Sequence, residues 1–313
     1  MPLTQMRRDF EALKKARKHE PKLALTALGR FGHDAIEVLR DHTTLRPFAF
    51  KGFGEKVYDV AALPGTGIKF SRAINRNLFI PDPSDFEVRW AGLMRAVATS
   101  ADSGILADVD AAEVDRVIYS AVIGYAASVD LFAPGDRGGP GSYLEMVVGP
   151  IIALITGRPE RSAIKLPVPE TGEYETVTTD LSFDGTAGDP VLVVPTKIST
   201  RERIVQPFVH QLILDRSREV TGIVYRSALI IGNENNTMFP KGLAAADKTF
   251  SVGWTQETLV PGTIVLYQKY VAELAGLYYL DPPNKYLHDA PTVFPRVATL
   301  GGLLTQDLPD LLK

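Results

Sequence analysis

Thr178-Thr179-Asp180-Leu181-Ser182-Phe183, a turn through Gly185-Thr186-Ala187-Gly188, then Val191-Leu192-Val193-Val194-Pro195-Thr196-Lys197-Ile198-Ser199-Thr200-Arg201-Glu202-Arg203-Ile204-Val205-Gln206 is the stretch that decides the fold. Its β-branched and apolar runs on either side of a glycine-rich turn predict two paired strands. Side chains of like parity on paired strands share a face, so Asp180 and Lys197 are expected together at one edge of a sheet. After Lys197 a helix is predicted to about Arg218, with Ile204, Val205, Phe208, Val209, Leu212 and Ile213 at helical spacing. Charge crowds its expected first turn, and Pro207 predicts a kink, because proline removes a backbone bond and crowds the carbonyl four residues back.

Working outward, Ser142 opens a helix predicted to about Ile155, and the strands are placed at 175–183 and 191–196. Further strands are expected at 221–231 and 263–267, then a helix through Val271, Leu274 and Leu277. N-terminally, 4–42 reads as helix with a break at Glu20-Pro21 and a second segment after Gly32, because the residue before proline disfavours the α region. Residues 46–85 are irregular, and 85–99 and 110–129 return to helical periodicity. The glycine-rich run 135–141 divides a mainly helical region, 1–134, from a catalytic core, 135–313. The expected class is α/β, a mixed central sheet flanked by helices with a largely helical N-terminal region, and not a βαβ dinucleotide fold.

With 313 residues and 45% apolar content the chain can bury a large core, and a net charge of −3 means that nucleic acid would have to be met by local basic patches. One candidate is Arg7, Arg8, Lys14, Lys15, Arg17, Lys18 and Lys22, which equally suits a solvated helix face. The absence of cysteine excludes thiolate metal sites and, with no signal-peptide pattern, leads us to expect a cytoplasmic protein. The apolar run Met146 to Thr156 is broken by Gly149-Pro150 and too short to span a bilayer, so no membrane role is expected. Scattered histidines give no Ser-His-Asp or metal-ligand spacing, and no Gly-Lys-Ser/Thr ends the glycine-rich run, which argues against a P-loop.

Two carboxylates and a lysine in one pocket suit metal-assisted phosphodiester hydrolysis. Asp180 and Glu145 can hold Mg²⁺ through oxygen, while Lys197 orients a water or stabilises developing negative charge. Glu145 also completes a capping-box pattern with Ser142, as Glu202 does with Ser199, so both acids have a purely local reading too. Arg201, Glu202 and Arg203 carry the groups that read C·G pairs in a major groove, each bidentate contact contributing roughly 1–3 kcal/mol of discrimination.

The run Lys197-Ile198-Ser199-Thr200-Arg201-Glu202-Arg203 resembles the catalytic segment of type II restriction endonucleases of the PD-(D/E)XK superfamily, closest to the EcoRII/Ecl18kI group and the CCGG-recognising group. The resemblance implies a catalytic role for Lys197, metal binding by Asp180 and by Glu145, and base reading by Ser199, Arg201, Glu202 and Arg203. The chain departs from the pattern at Pro195, where an acid commonly stands, and at His210 and Gln211, where these groups carry a glutamate instead. The expectation is a Mg²⁺-dependent endonuclease cutting double-stranded DNA at a palindromic site with a CC/GG core, working as a homodimer or a tetramer. The rival expectations are a catalytically silent DNA-binding protein on the same fold and a structure-specific repair nuclease.

Overall fold

The structure is a computed structural model that describes residues 10, 13, 17, 19–48, 56–64, 70–133, 136, 138–185, 188–199, 204–233, 261–282 and 293–313. Helix α1 (Pro21–His42) leads into a three-stranded antiparallel sheet of β1 (Thr44–Phe48), β2 (Tyr58–Ala62) and β3 (Phe70–Asn75). Three helices follow: α2 (Pro83–Thr99), α3 (Ala111–Phe132) and α4 (Gly139–Thr156). The central sheet is built from β4 (Glu160–Val168), β5 (Glu173–Phe183), β6 (Val191–Val194), β7 (Thr196–Ser199), β8 (Tyr225–Asn233), β9 (Gly276–Tyr279) and β10 (Val297–Thr299). Helix α5 (Val205–Thr221) lies between β7 and β8, and α6 (Pro261–Tyr270) precedes β9. The chain ends in a helical run of Leu300–Gly302, a wide π turn Leu303–Asp307 and Leu308–Leu311.

The strand order is β10-β9-β8-β6-β5-β4, with β7 also pairing β8. The pairs β10/β9, β9/β8, β8/β6 and β8/β7 are parallel, whereas β6/β5 and β5/β4 are antiparallel. Alternation along the strands explains why both faces are covered. Leu181, Phe183, Leu192, Val194, Ala228 and Ile230 pack with α1, α3 and α4 in one continuous cluster. The intervening Leu229 and Ile231 meet Phe208 of α5 and Ile264 of α6 on the other side, and Val193 meets Leu214 of α5. The expected sheet flanked by helices is therefore the observed architecture.

Several local expectations are corrected. Residues 21–42 form one helix through Gly32, since Pro21 sits in its first turn, where a missing N–H costs no intrahelical bond. Gly139-Pro140-Gly141 are the first turn of α4, so Ser142 lies inside the helix and is no capping residue. Helix α5 begins at Val205 with no charge in its first turn, and Ser199 ends β7 instead of capping a helix. Pro207 stands in that first turn, among donors that lack intrahelical acceptors, so it displaces no bond. Residues 263–267 are helical and Leu277 is in a strand, the reverse of the periodicity reading, because short apolar runs serve either state. Strand β4 is not among the strands expected from the sequence.

Helix α4 is 18 residues long and apolar enough to cross a membrane, longer than the run read from sequence, yet it is two-thirds buried between the helical layer and the sheet. The C-terminal run is fastened to α3 by Asp115, whose Oδ1 accepts from the Gly301 N–H at 2.6 Å. Gly301 is required there, since a Cβ would lie 2.1 Å from the Ala111 carbonyl oxygen. Burial pushes the Asp115 carboxyl up to about 6, opposed by hydrogen bonds from Thr299 and Gly301. The folded protein therefore holds this proton between about pH 4 and 6, where the unfolded chain has lost it, so the contribution is full below that window and lost as pH rises through it. We expect the Asp115→Asn variant to lack this part of the slope, on the order of 2–3 kcal/mol across the window. Urea midpoints at the two ends, parent against variant, measure it; identical slopes would remove Asp115 as the cause.

Candidate active site

Val191–Val193 pair Tyr225–Ser227, and Thr196–Ser199 pair Ile230–Asn233. The register on β8 is thus kept across Pro195, whose carbonyl still accepts from the Ile230 N–H at 2.9 Å. On the other edge β5 pairs β6 only as far as Leu181↔Val194. Beyond that point the Thr196 N–H is taken by Asp180 Oδ2 at 2.8 Å, a side chain standing where a strand carbonyl would otherwise accept.

Asp180 occupies an irregular point on the far side as well. Between Arg161↔Ser182 and Ala163↔Thr178 the β4/β5 register shifts, with more residues on β5 than on β4. Bulges of this kind re-aim a side chain out of the pleat. Lys197 reaches the same carboxylate, Nζ to Oδ2 at 3.0 Å, with side-chain exposures of 21% and 29% for lysine and aspartate. Both bonds fall on Oδ2, and Oδ1 receives neither.

The pair opens into a cleft of about 20 Å³, enough for one water or one ion, lined by Thr178, Thr179, Asp180, Pro195, Lys197, Gln206, Pro207 and His210. Three of these belong to the beginning of α5, and Gln206 and His210 stand one helical turn apart on it. Burial first, and the Lys197 cation second, hold the His210 imidazole below its ordinary value, with Asp180 pulling the other way. Gln211 points elsewhere: its amide donates to Asp215 Oδ1 and to the Tyr225 carbonyl, and it is buried.

The structure brings Asp180 and Lys197 together but does not bring Glu145 into the cleft lining. Glu145 is half-buried on α4, which covers the sheet face opposite α5. One turn further along α4, Gly149 abuts β4 and β5 so closely that a Cβ would lie 2.3 Å from Glu160 Oε2 and 2.9 Å from Leu181 Cδ2. Ser199 is placed as the last residue of β7, while Arg201, Glu202 and Arg203 lie outside the described residues. Sequence reasoning passed over Gln206 and treated His210 only as a departure from a pattern; their spacing after the lysine strand was the available signal. Asp180 offers an oxygen donor to a divalent ion, and His210 a nitrogen donor, so the cleft suits a metal with a mixed donor set.

A mixed sheet with parallel and antiparallel halves, and an Asp–Lys pair where two of its strands part, defines a restriction-endonuclease-like fold. The particular match is the crystal structure of the type IIP restriction endonuclease Kpn2I, with a TM-score of 0.72, 25% sequence identity, and coverage of 96% of this chain and 97% of that one. No family model and no curated protein matches the chain. The general reading as a type II restriction endonuclease, a DNA-binding nuclease, rests on this shared architecture.

Proposed function

We propose that the chain is a Mg²⁺-dependent type II endonuclease that hydrolyses double-stranded DNA at a palindromic site with a CC/GG-containing core. The carrying observation is the Asp180–Lys197 pair, 3.0 Å apart at the parting of β5 and β7, in a fold shared end to end with a restriction enzyme. When bound, the ion supplies neutralisation of the scissile phosphate and acidification of a water. Asp180 would hold it through oxygen, while Glu145, the second carboxylate expected from the sequence, lies outside the described cleft lining. Lys197, anchored on Asp180 Oδ2, presents its ammonium to the attacking water and to the charge that grows on the phosphate. Ser199, Arg201, Glu202 and Arg203 follow directly on this strand and read the C·G pairs. The enzyme works in the cytoplasm.

The test is incubation of the purified protein with intact bacteriophage DNA in Mg²⁺ and in EDTA. Discrete fragments in Mg²⁺ alone, with ends mapping to a CC/GG core, are the expected result. DNA left uncut in Mg²⁺ and in Mn²⁺, yet bound at a defined site, would make this a binding protein instead; cutting confined to branched substrates would make it a repair nuclease.

A palindromic site calls for two copies, and α5 carries a surface for them. Its buried face uses Ile204, Phe208 and Leu214, while Val209, Ile213, Arg216 and Val220 run along the opposite side at heptad spacing. Val209, Ile213 and Val220 are 40%, 42% and 55% exposed. An apolar stripe that the chain's own core does not use can pair with itself about a two-fold axis. We expect Ile213→Glu to convert a dimer into a monomer by light scattering at unchanged helix content; an unchanged mass would remove this face from the interface.

A further inference from the structure

We infer that His210 is a nitrogen ligand of the cleft's metal ion, so that the site takes a manganese- or cobalt-type divalent cation more tightly than the Asp180 carboxylate alone would allow. This rests on reading the cleft as the nuclease centre. Among the described residues that line it, Asp180 alone carries a carboxylate. Mg²⁺ is held characteristically by oxygen in near-ideal octahedra, with one or two carboxylates and otherwise waters and substrate phosphates, and gains little from a nitrogen donor. The imidazole changes the donor set, since a nitrogen donor favours first-row transition ions over Mg²⁺, least for Mn²⁺ and more for Co²⁺.

Three observations point at His210. It shares a one-ion cleft with Asp180, and no described residue takes its ring in a hydrogen bond. It stands one turn after Gln206, whose side-chain carbonyl is a further oxygen donor on the same rim. Glu145, the carboxylate expected to complete the site, is carried by the helix on the other face of the sheet. Against the inference stands Lys197, whose cation repels a metal; its ammonium is already matched by Asp180 Oδ2, which leaves Oδ1 for the ion.

The test uses the full, untagged chain and Mn²⁺ as probe, without DNA. Pulsed electron paramagnetic resonance of the Mn²⁺-loaded protein should show coupling to a ¹⁴N nucleus that disappears in His210→Ala and in His210→Gln. Mn²⁺ affinity should fall at least about tenfold in both, because even outer-shell partners of a ligand are worth 10–100-fold. Mg²⁺ affinity should fall less, so the Mn²⁺/Mg²⁺ ratio should drop. The exposed group His33, Asp34 and Glu37 is the competing source of such a signal, and His33→Ala should leave it intact. Coupling that survives His210→Ala, Mn²⁺ bound with no nitrogen coupling, or no Mn²⁺ bound at all would each overturn the inference. None of these outcomes bears on whether phage DNA is cut in Mg²⁺, which tests the nuclease reading separately.

Discussion

Lys197→Ala should abolish DNA cleavage while leaving specific DNA binding in place. The lysine stands on a strand fixed on one side by β8 and anchored by a 3.0 Å bond to the carboxylate that the proposed chemistry needs, so its ammonium is positioned before substrate arrives. A preorganised charge of this kind contributes most when charge develops at the reacting phosphate, and loss of one such group costs about 10²–10³ in rate. The fold should hardly notice, since the pair is partly solvent-exposed and such pairs contribute about 0–1 kcal/mol. Single-turnover cleavage in Mg²⁺ and a gel-shift in EDTA separate the two effects. Cleavage within about tenfold of the parent rate would remove Lys197 from the catalytic centre, and loss of binding with loss of cleavage would move it to DNA contact.

How far the sequence could be read depended on whether the deciding interaction was local. The pairing of Asp180 with Lys197 was legible because both flank one short turn and parity carries side chains to a common face. The sheet flanked by helices was legible for the same reason: strands rich in Val and Ile on both faces imply cover on both. The Gly139 start of α4 was not, because glycine and proline read as punctuation until one knows that Pro140 sits in a first turn, where its missing N–H is harmless. The swap of helix and strand at 261–279 has another cause: Ile264, Leu274, Leu277 and Tyr279 face one cluster whichever state carries them, and only the parallel pairing with β8 decides. Glu145 was assigned to the site by resemblance and by helix position. Which face of the sheet α4 would cover is a tertiary fact that neither could supply.

The buried carboxylate of Asp281 was invisible for that reason too, and it carries the largest stability effect we expect. Its side chain is fully buried, just beyond β9, and it accepts from Lys56 Nζ at 2.6 Å, from the Tyr58 hydroxyl at 2.8 Å and from Asn75 Nδ2 at 2.9 Å. Lys56 lies two residues before β2, Tyr58 opens that strand and Asn75 ends β3, so one carboxylate ties the small sheet to the large one. Asn75 is held in turn by its N–H on the Tyr119 hydroxyl at 2.7 Å, which joins α3 to the same network. Removing the carboxylate takes the counter-charge from a largely buried ammonium, which keeps the Pro282 carbonyl, and takes one acceptor from the Tyr58 hydroxyl and from the Asn75 amide; breaking a buried pair in this way costs about 3–5 kcal/mol. Asp281→Ala should therefore lower the unfolding free energy by that amount and Tm by roughly 5–8 °C. Asp281→Leu combined with Lys56→Met should recover part of the loss, because the uncompensated charge goes with the lysine. Chemical denaturation of the three variants measures both effects. A change below about 1 kcal/mol in Asp281→Ala would mean that water reaches Lys56 and that the two sheets are held by their apolar contacts instead.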